Sequence, residues 1–261
     1  MNEAPRGYWD EVTRAWDGRP SALWRAHSDR VNRALCHRWL AGVVARRLLK
    51  TDSFDEGVGE GTYPLLRRCA AQVVSVDVSP ATLGRARGRY VDMRVVGADV
   101  RALPFADGAF DVVFSPSTLD HFDHLEEVST CLRELGRVVA PGGRLLLTLD
   151  NLANPMIALR NILPLRALQR FGFVPYYVGA TCTPRQLRQI VEGAGCRIEE
   201  LTAIQHAPRF AAVQLSRGFS ALSSFGLAIR LAHVLPVFEM LERLPTRFLT
   251  GHFTALHAVK R

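Results

Sequence analysis

Short apolar runs alternate along the chain with longer segments in which apolar residues recur at three- and four-residue steps. The short runs predict buried parallel strands, which are apolar on both faces, and the longer segments predict helices. The predicted strands are 48–54, 73–77, 93–96, 110–114, 144–149, 197–203 and 252–259. This alternation predicts an α/β fold built on a mostly parallel sheet.

A glycine-rich stretch follows the first predicted strand and precedes a predicted helix. Gly57, Gly59 and Gly61 stand at every second position, and Asp55 lies two residues before the first of them. A turn of this kind can present backbone N–H groups to a ligand, and glycine allows the ligand to approach closely. The stretch alone is equally compatible with a flexible surface loop, so the residues around it decide its meaning.

The second predicted strand, 73–77, ends in a carboxylate residue, Asp77. A carboxylate at that position can accept hydrogen bonds from both hydroxyls of a ribose. The dinucleotide-binding pattern would also need a glycine at position 62, where the chain has Thr62. A nicotinamide-dependent oxidoreductase is therefore only a minor alternative.

Several further landmarks follow in order along the middle of the chain. They are the segments 77–80 (Asp-Val-Ser-Pro), 98–99 (Ala-Asp), 103–105 (Leu-Pro-Phe), 110–111 (Phe-Asp) and 137–143 (Arg-Val-Val-Ala-Pro-Gly-Gly). With the glycine pattern they resemble the class I S-adenosylmethionine-dependent methyltransferases, in particular the type 11-like domain, over about residues 45–150. The resemblance implies a Rossmann-like sheet of seven strands, mostly parallel with the last antiparallel, helices on both faces, and S-adenosyl-L-methionine as cofactor.

The resemblance also implies which residues hold the methionine and ribose parts of the cofactor. Asp55 and the glycines Gly57, Gly59 and Gly61 would lie at the methionine end. Asp77 would accept from the two ribose hydroxyls.

For the remainder of the cofactor, the resemblance implies one contact on each following strand. Val78 would lie against the adenine ring, and Asp99 would accept from the adenine amino group. Val100 would donate its backbone N–H, and Ser115 would line the methionine side. No metal site is predicted.

Polar residues after the fourth and fifth strands are candidates for catalysis, because ligands bind beyond the carboxyl ends of parallel strands. His121 stands beside Asp120 and could act as a general base near neutral pH. Either residue could instead cap the helix that begins near Leu125. Asp150, at the end of the fifth strand, and His206 are further candidates for the base.

The first predicted strand departs from the usual apolar pattern. Lys50 and Asp52 are two residues apart, so on a strand they would share a face. Buried charges need partners, and a Lys50–Asp52 pair or a contact with a ligand would provide one. Lys50, Thr51 and Asp52 are therefore better site candidates than average.

We predict a single domain over residues 1–261. Within it, an N-terminal helical cap covers 1–46 and a cofactor-binding core covers 47–150. The segments 151–180 and 207–251 predict helical insertions over the active site that form a substrate cap.

Apolar and aromatic residues characterise both predicted insertions. The first contains Phe171, Phe173, Tyr176 and Tyr177. The second carries a helical stripe of Leu227, Leu231, Val234, Phe238 and Leu241, in which Pro236 predicts a kink. A helix packed on the core, or a surface that contacts a membrane or a second subunit, is the alternative to a substrate cap.

The charge of the chain narrows the choice of partner only slightly. The net charge is +8, and of 33 basic residues only Lys50 and Lys260 are lysine. The arginines are scattered without long basic runs, so a nucleic-acid partner is not predicted. Contact with a membrane surface is possible but not favoured.

The cysteine pattern and the polar first residues predict a cytoplasmic protein. Five cysteines lie far apart in an odd number, which does not predict a disulfide framework. The sequence thus predicts methyl transfer to a small-molecule acceptor, hydrophobic or aromatic in character. A cofactor-binding partner protein without catalysis is the main alternative, and a carbon nucleophile would need no strong base.

Overall fold

The structure is a computed structural model, and it describes residues 6–16, 22–170, 174, 176–209, 211–213 and 234–261. The strands are β1 (Ala45–Thr51), β2 (Ala70–Asp77), β3 (Arg94–Gly97), β4 (Phe110–Pro116), β5 (Val139–Asp150), β6 (Cys196–Ile204) and β7 (Phe253–Lys260). They form one sheet in the order β3-β2-β1-β4-β5-β7-β6.

The last strand runs against the others. β7 is antiparallel to both of its neighbours, β5 and β6, whereas β1 to β5 pair in parallel. The predicted sheet is therefore confirmed. We call the edge at which β1 to β6 end and β7 begins the carboxyl edge.

Helices cover both faces of the sheet, as predicted. The described α-helices are α1 (Arg6–Ala15), α2 (Ala22–Leu40), α3 (Phe54–Val58), α4 (Tyr63–Cys69), α5 (Pro80–Arg89), α6 (Leu125–Val138), α7 (Pro155–Ile162), α8 (Leu165–Arg170), α9 (Pro184–Gly193) and α10 (Arg247–Thr250). Two 3-10 helices span Leu119–His121 and Leu235–Arg243.

The two largest hydrophobic clusters of the described residues cover the two faces of the sheet. A smaller one joins Leu23 and Trp24 of α2 to Ala207, Ala212 and Leu235. Leu49 of β1 packs in the cluster of α6 and α9, while its neighbour Leu48 packs in the cluster of α2 and α4. Successive strand residues point to opposite faces, so a strand covered on both sides must be apolar throughout. This explains why the sheet could be recognised from apolar runs.

Two helices begin at the residues that the sequence predicts. The hydroxyl of Ser79 accepts from the N–H of Thr82 at 3.1 Å, and that of Thr183 accepts from the N–H of Gln186 at 3.3 Å. Each cap is followed by a proline at the first helical position, where a missing N–H costs little.

The glycine-rich stretch forms the predicted turn only in its second half, where Gly61 has φ 62° before α4. β1 ends at Thr51, before the predicted limit of the strand, and α3 follows almost at once. The N–H groups of Gly57 and Gly59 donate to the carbonyls of Ser53 and Asp55 at 2.9 and 2.8 Å. These two amides therefore close a helical turn.

Lys50 lies fully inside the protein, and its partner differs from the predicted one. Its ammonium is 2.9 Å from Oε2 of Glu56, and it also donates to the main-chain oxygen of Asp52. The predicted side-chain pair with Asp52 is wrong because Asp52 follows the strand end at φ 68°, which turns the chain out of β1. Burial alone would lower the pKa of Lys50, but the Glu56 carboxylate raises it.

Glu56 also fixes the start of α4. Its Oε1 accepts from the N–H groups of Thr62 and Tyr63 at 2.9 and 3.1 Å. Gly61 lies beside this carboxylate with φ 62°, and a Cβ there would overlap the Glu56 side chain. Only glycine meets both requirements.

The N-terminal segment is helical, as predicted, and α1 packs on the start of α5. Asp10 accepts from the N–H of Ala81 at 3.0 Å, and the hydroxyls of Thr13 and Thr82 are 2.7 Å apart. The role of this segment as a cap over a substrate, and the division of the chain into parts, stay predictions.

The second predicted insertion is described only in part. Leu227 and Leu231 of its apolar stripe lie outside the described residues, as do Phe171 and Phe173 of the first insertion. Pro236 lies in the first turn of the 3-10 helix Leu235–Arg243, so in the described part it starts a helix instead of kinking one. Among the described residues, no helix combines the length and apolar character that crossing a membrane requires.

Candidate active site

Three non-glycine residues among those described have a positive φ angle, and all three lie at the carboxyl edge. Asp52 (φ 68°) follows β1, Ser117 (φ 47°) follows β4, and Gln205 (φ 58°) follows β6. Such conformations are costly for residues with a Cβ and concentrate at functional sites. The strain therefore marks the same edge that the predicted cofactor residues share.

Hydroxyl groups join the ends of β1 and β4 at this edge. Thr51 donates to Ser115 at 2.8 Å, and its hydroxyl is also 2.8 Å from that of Thr118. Ser115 is fully buried, at the position predicted for the methionine side of the cofactor. Thr51 is one of the three first-strand residues that the sequence singles out as site candidates.

Asp77 stands where β2 ends, as predicted, and its position is fixed by main-chain donors. It accepts from the N–H of Ser53 at 2.9 Å and from that of Ser79 at 2.8 Å. A carboxylate has about four acceptor sites, so two remain for the hydroxyls of a ribose. Burial raises the pKa of Asp77.

Asp52 brings a second carboxylate to the same place. It accepts from the N–H of Phe54 at 2.5 Å. Burial raises its pKa well above the usual value, Lys50 opposes this rise, and the charge of Asp77 adds to it. Two half-buried carboxylates close together favour a ligand that brings hydrogen-bond donors or positive charge. S-adenosylmethionine carries both.

The predicted cofactor glycines face the protein itself. A Cβ at Gly57 would lie 3.3 Å from the carbonyl oxygen of Thr82, and Gly61 is held against Glu56. Because the amides of Gly57 and Gly59 close the turn of α3, they cannot also donate to a ligand as the sequence predicted. Asp55 pairs with Arg25 at 3.1 Å. Contacts of these residues with the methionine end stay a prediction.

The residues predicted to contact adenine lie after β2 and β3. The Asp99 carboxylate accepts from the N–H of Arg101 at 2.8 Å and pairs with its guanidinium at 2.6 Å. Val78 is half-buried, whereas Val100 is buried in the core. Asp99 is therefore at the predicted edge but already engaged, and its contact with the adenine amino group stays a prediction.

His121 and Asp120 lie on the 3-10 helix after β4. Nδ1 of His121 is 3.0 Å from the carbonyl oxygen of Tyr177, which can only accept, so in the neutral ring Nδ1 carries the proton and Nε2 keeps its lone pair. That Nε2 lies 3.9 Å from Oδ1 of Asp120. The same Oδ1 is buried without a hydrogen-bond partner among the described residues.

The other oxygen of Asp120 is fixed by the strained residue at the end of β4. Ser117 donates to Oδ2 at 2.9 Å. Burial and the charge of Asp150 raise the pKa of Asp120. The alternative that Asp120 or His121 caps α6 is not what the structure shows, because α6 begins after His124.

Aromatic side chains from distant parts of the chain enclose His121. The centre of the Trp9 ring lies 4.7 Å from the centre of the imidazole, and the centre of the Tyr176 ring lies 5.6 Å from it. Trp16 packs at 5.1 Å from Phe54, which in turn lies 6.4 Å from Tyr176. The N-terminal helices, the start of α3 and the first insertion thus meet over the carboxyl edge.

Asp150 and His206, the remaining candidates for a base, are both held by the protein. Asp150 lies 2.6 Å from Arg160 and 3.5 Å from His252. Burial would raise the pKa of Asp150, but the charge of Arg160 holds it below its usual value. The ring nitrogens of His206 are 2.7 Å from the Thr250 hydroxyl and 2.9 Å from the carbonyl oxygen of Ala203. Both nitrogens are therefore engaged, and His206 is not part of the proposed catalytic set.

The sequence did not predict roles for Arg160, Arg209 and His252. His252 could have been found, because the first residue of an antiparallel last strand must lie where the other strands end. Arg160 lies in α7 directly after β5. Arg209 follows β6, and no spacing in the sequence distinguishes it from the other arginines.

The chain matches a known domain family over the segment that carries most of this edge. A family model described as a methyltransferase domain matches residues 54–147. This segment is a class I, S-adenosylmethionine-dependent methyltransferase domain. The predicted family and cofactor are thereby confirmed for the methyltransferase domain.

Parts of the chain are similar in sequence to named methyltransferases and to probable ones. Malonyl-[acyl-carrier protein] O-methyltransferase of Halorhodospira halophila is 44% identical over 105 residues, which are 39% of this chain and 34% of that protein. A probable S-adenosylmethionine-dependent methyltransferase of Mycolicibacterium smegmatis is 26% identical over 183 residues, 69% of this chain and 65% of that protein. The chain thus spans less than two thirds of either relative.

The fold of the methyltransferase domain and its additions is also found in solved structures. The crystal structure of the [4+2]-cyclase SpnF has a TM-score of 0.58 and 21% sequence identity, and the match covers 94% of this chain and 84% of that one. A similarity at this identity shows the fold alone. The reaction has to be argued from the site.

Proposed function

We propose that the protein transfers the methyl group of S-adenosylmethionine to a small-molecule acceptor of hydrophobic or aromatic character. One observation carries the proposal. Asp77, proposed for the ribose, and the pair His121–Asp120 lie at the same edge of the sheet, after β2 and after β4. This common edge, reached by elements that are separate in the sequence, supports a cofactor and a base acting at one site.

The charges of the edge suit a cationic cofactor. Asp77 would hold the ribose, and Asp52 lies beside it as a second, half-buried carboxylate whose ionisation is opposed by desolvation. The cofactor supplies an activated methyl group on a positively charged sulfur, which is already a good leaving group. The chain therefore has to align the acceptor with the methyl group and exclude water.

His121 is the proposed general base. An acceptor hydroxyl or amine that donates to Nε2 passes its proton to that nitrogen as the methyl group is transferred. Asp120, with Oδ1 3.9 Å away, stabilises the imidazolium that results. The Tyr177 carbonyl holds the ring in the tautomer that leaves Nε2 able to accept.

The aromatic character of the enclosure supports the proposed class of acceptor. Trp9 and Tyr176 offer flat apolar surfaces against His121, and Phe54 and Trp16 extend this surface from Tyr176. Such surfaces favour apolar or aromatic groups and keep water from the reacting atoms. An acceptor that reacts at an activated carbon would use the same surfaces without needing His121 as a base.

Calorimetric titration with S-adenosylmethionine and S-adenosylhomocysteine tests the proposal, with NADH as the control. We expect micromolar binding of the first two and no binding of NADH. Incubation with labelled S-adenosylmethionine and a panel of phenols, quinols and acyl thioesters then tests transfer. Cofactor binding without transfer to any of them would favour a non-catalytic partner protein, and NADH binding would favour an oxidoreductase.

A further inference from the structure

Two arginines lie at the carboxyl edge on the side away from the cofactor residues. Arg160 belongs to α7, which follows β5, and Arg209 follows β6. Both are close enough to Asp150 and to His252 to affect the pKa of each. They therefore share one electrostatic environment.

Arg160 is bound on one side only. Its Nη2 lies 2.6 Å from Oδ2 of Asp150 and 2.9 Å from Oδ1 of Asn161. Its side chain is only 10% exposed, and its Nη1 is buried without a hydrogen-bond partner among the described residues. A guanidinium has no acceptor capacity and remains charged, so this N–H group requires an acceptor from elsewhere.

The charge of Arg209 has fewer partners among the described residues than that of Arg160. Its Nε is buried without a hydrogen-bond partner, and within the described part of the chain no carboxylate forms an ion pair with it. Its Nη1 lies 3.4 Å from Nε2 of His252, and its guanidinium lies 6.0 Å from the centre of the Trp24 ring. Stacking on the indole orients the guanidinium and leaves its edge for a ligand.

Among the described groups around the two arginines, one carboxylate forms an ion pair, and it pairs with Arg160. His252 is buried, which lowers its pKa to about 3, so the imidazole is neutral at physiological pH. Asp150 is already paired with Arg160. Asp120 is a second carboxylate near Arg160, whose charge lowers the pKa of Asp120, but among the described residues it forms no ion pair with either arginine. The guanidinium donors that face away from Asp150 are buried.

We propose that the methyl acceptor carries an anionic group, a carboxylate or a phosphate, that binds between Arg160 and Arg209. The inference rests on the proposed function, because it identifies the chemistry of the acceptor at that same site. The aromatic residues around His121 bind the apolar part of the acceptor, and the two arginines bind its anionic end. Oδ1 of Asp120 has no hydrogen-bond partner among the described residues, and it accepts a hydrogen bond from a hydroxyl or amine of the same molecule.

The anionic group of the cofactor itself is a poorer match for this subsite. The residues proposed for the cofactor lie at or after the ends of β1 to β4, whereas Arg160 and Arg209 follow β5 and β6. β6 is separated from β4 by two strands, β5 and β7. Arginine variants should therefore affect the acceptor and leave the affinity for S-adenosylhomocysteine unchanged.

The test compares matched charged and neutral probes. Calorimetry measures binding of 4-hydroxybenzoate, phenyl phosphate and neutral 4-hydroxybenzamide, each with and without saturating S-adenosylhomocysteine. We expect the anionic probes to bind about 10- to 100-fold more tightly than the amide, as charge-assisted hydrogen bonds imply. The ratio of the first two affinities distinguishes a carboxylate from a phosphate.

Arg209→Gln and Arg209→Lys examine the guanidinium without breaking an ion pair. We expect Arg209→Gln to abolish the preference for the anionic probes, and Arg209→Lys to restore part of it. Arg47→Gln is the control, because this exposed arginine also lies over an aromatic ring, that of Phe110 at 4.9 Å, but at the start of β1. Arg160→Gln is a second test, with thermal unfolding measured because Asp150 loses its partner.

Equal binding of charged and neutral probes, or no binding of either at millimolar concentration, overturns the inference. So does a loss of S-adenosylhomocysteine affinity in Arg209→Gln as large as the loss for the anions, which would assign the arginines to the cofactor. Failure of the proposed function gives a different result, since the wild-type protein would then either not bind S-adenosylhomocysteine or bind it without transferring a methyl group to any acceptor of the panel. The anion preference and its loss in Arg209→Gln would still be measurable in that case.

Discussion

The two sides of the carboxyl edge satisfy their buried polar groups in different ways. On the cofactor side, the carboxylates Asp52, Glu56 and Asp77 accept from main-chain N–H groups of nearby segments. On the acceptor side, Asp120, Arg160 and Arg209 each keep a buried polar atom that no described residue binds.

The difference indicates which groups are built for structure and which for a ligand. A carboxylate held by backbone donors keeps its position with or without a bound molecule, so the cofactor side is preorganised. A buried donor or acceptor without a partner costs free energy until something binds it. The acceptor side therefore depends on a ligand for its remaining hydrogen bonds.

The largest expected effect is on the structural support of the cofactor side. Lys50→Met leaves the buried Glu56 carboxylate without its cation, and we expect the free energy of unfolding to fall by about 3–5 kcal/mol. Urea denaturation measures the change. Arg67→Met is the control, because it removes a half-exposed pair, Arg67–Asp92 at 3.3 Å, and should cost less than about 1 kcal/mol. Equal losses in the two variants would contradict a structural role for the Lys50–Glu56 pair.

Asp77→Ala should affect the cofactor more than the fold. Loss of two hydrogen bonds to a charged acceptor predicts a decrease in S-adenosylhomocysteine affinity of about 100-fold or more. Calorimetry provides the affinity, and circular dichroism checks the fold. Asp111→Ala is the matched control, since Asp111 also accepts two main-chain N–H groups, at 2.8 and 2.9 Å, but near the start of β4. Unchanged affinity in Asp77→Ala would rule out the ribose assignment.

His121→Ala separates chemistry from cofactor binding on the acceptor side. Loss of a general base predicts a decrease in kcat of about 100-fold or more, with unchanged affinity for S-adenosylhomocysteine. Single-turnover transfer to an acceptor found in the panel measures the effect. Full activity of the variant would remove His121 as the base and favour a carbon nucleophile.

The smallest expected effect is a change in how stability depends on pH. The pKa of His252 is about 3 in the folded protein, below its ordinary value, so the unfolded chain binds a proton first as the pH falls. Stability is therefore present above about pH 6.5 and is lost below it, by at most about 1.4 kcal/mol per pH unit. His252→Gln should lose less stability than the wild type between about pH 6.5 and 5.

Thermal unfolding across that range measures the difference. His37→Gln serves as the control for removal of an imidazole, because His37 is exposed on α2. A pH profile of His252→Gln that is identical to that of the wild type would show that burial of His252 does not oppose its protonation.

Local patterns predicted the fold well because the signals that set its elements are local. Ser79 and Thr183 cap helices through atoms three residues away, and the apolar runs report strands that are covered on both faces. Asp77 was identified because the end of a parallel strand fixes which side of the sheet its last residue occupies. The conformation predicted for Gly57 and Gly59 is wrong because their N–H groups donate to main-chain carbonyls four residues earlier.

The sequence by itself determined the order of strands and helices, the family of the domain and the edge at which its ligands bind. Only the tertiary structure decided the partners of the charged residues. Lys50 had several carboxylates near it in the sequence, and packing selected Glu56. Arg209 and His252 are 43 residues apart and meet because β6 ends where β7 begins. Coulomb and hydrogen-bond energies depend on distances in space, which local sequence patterns do not contain.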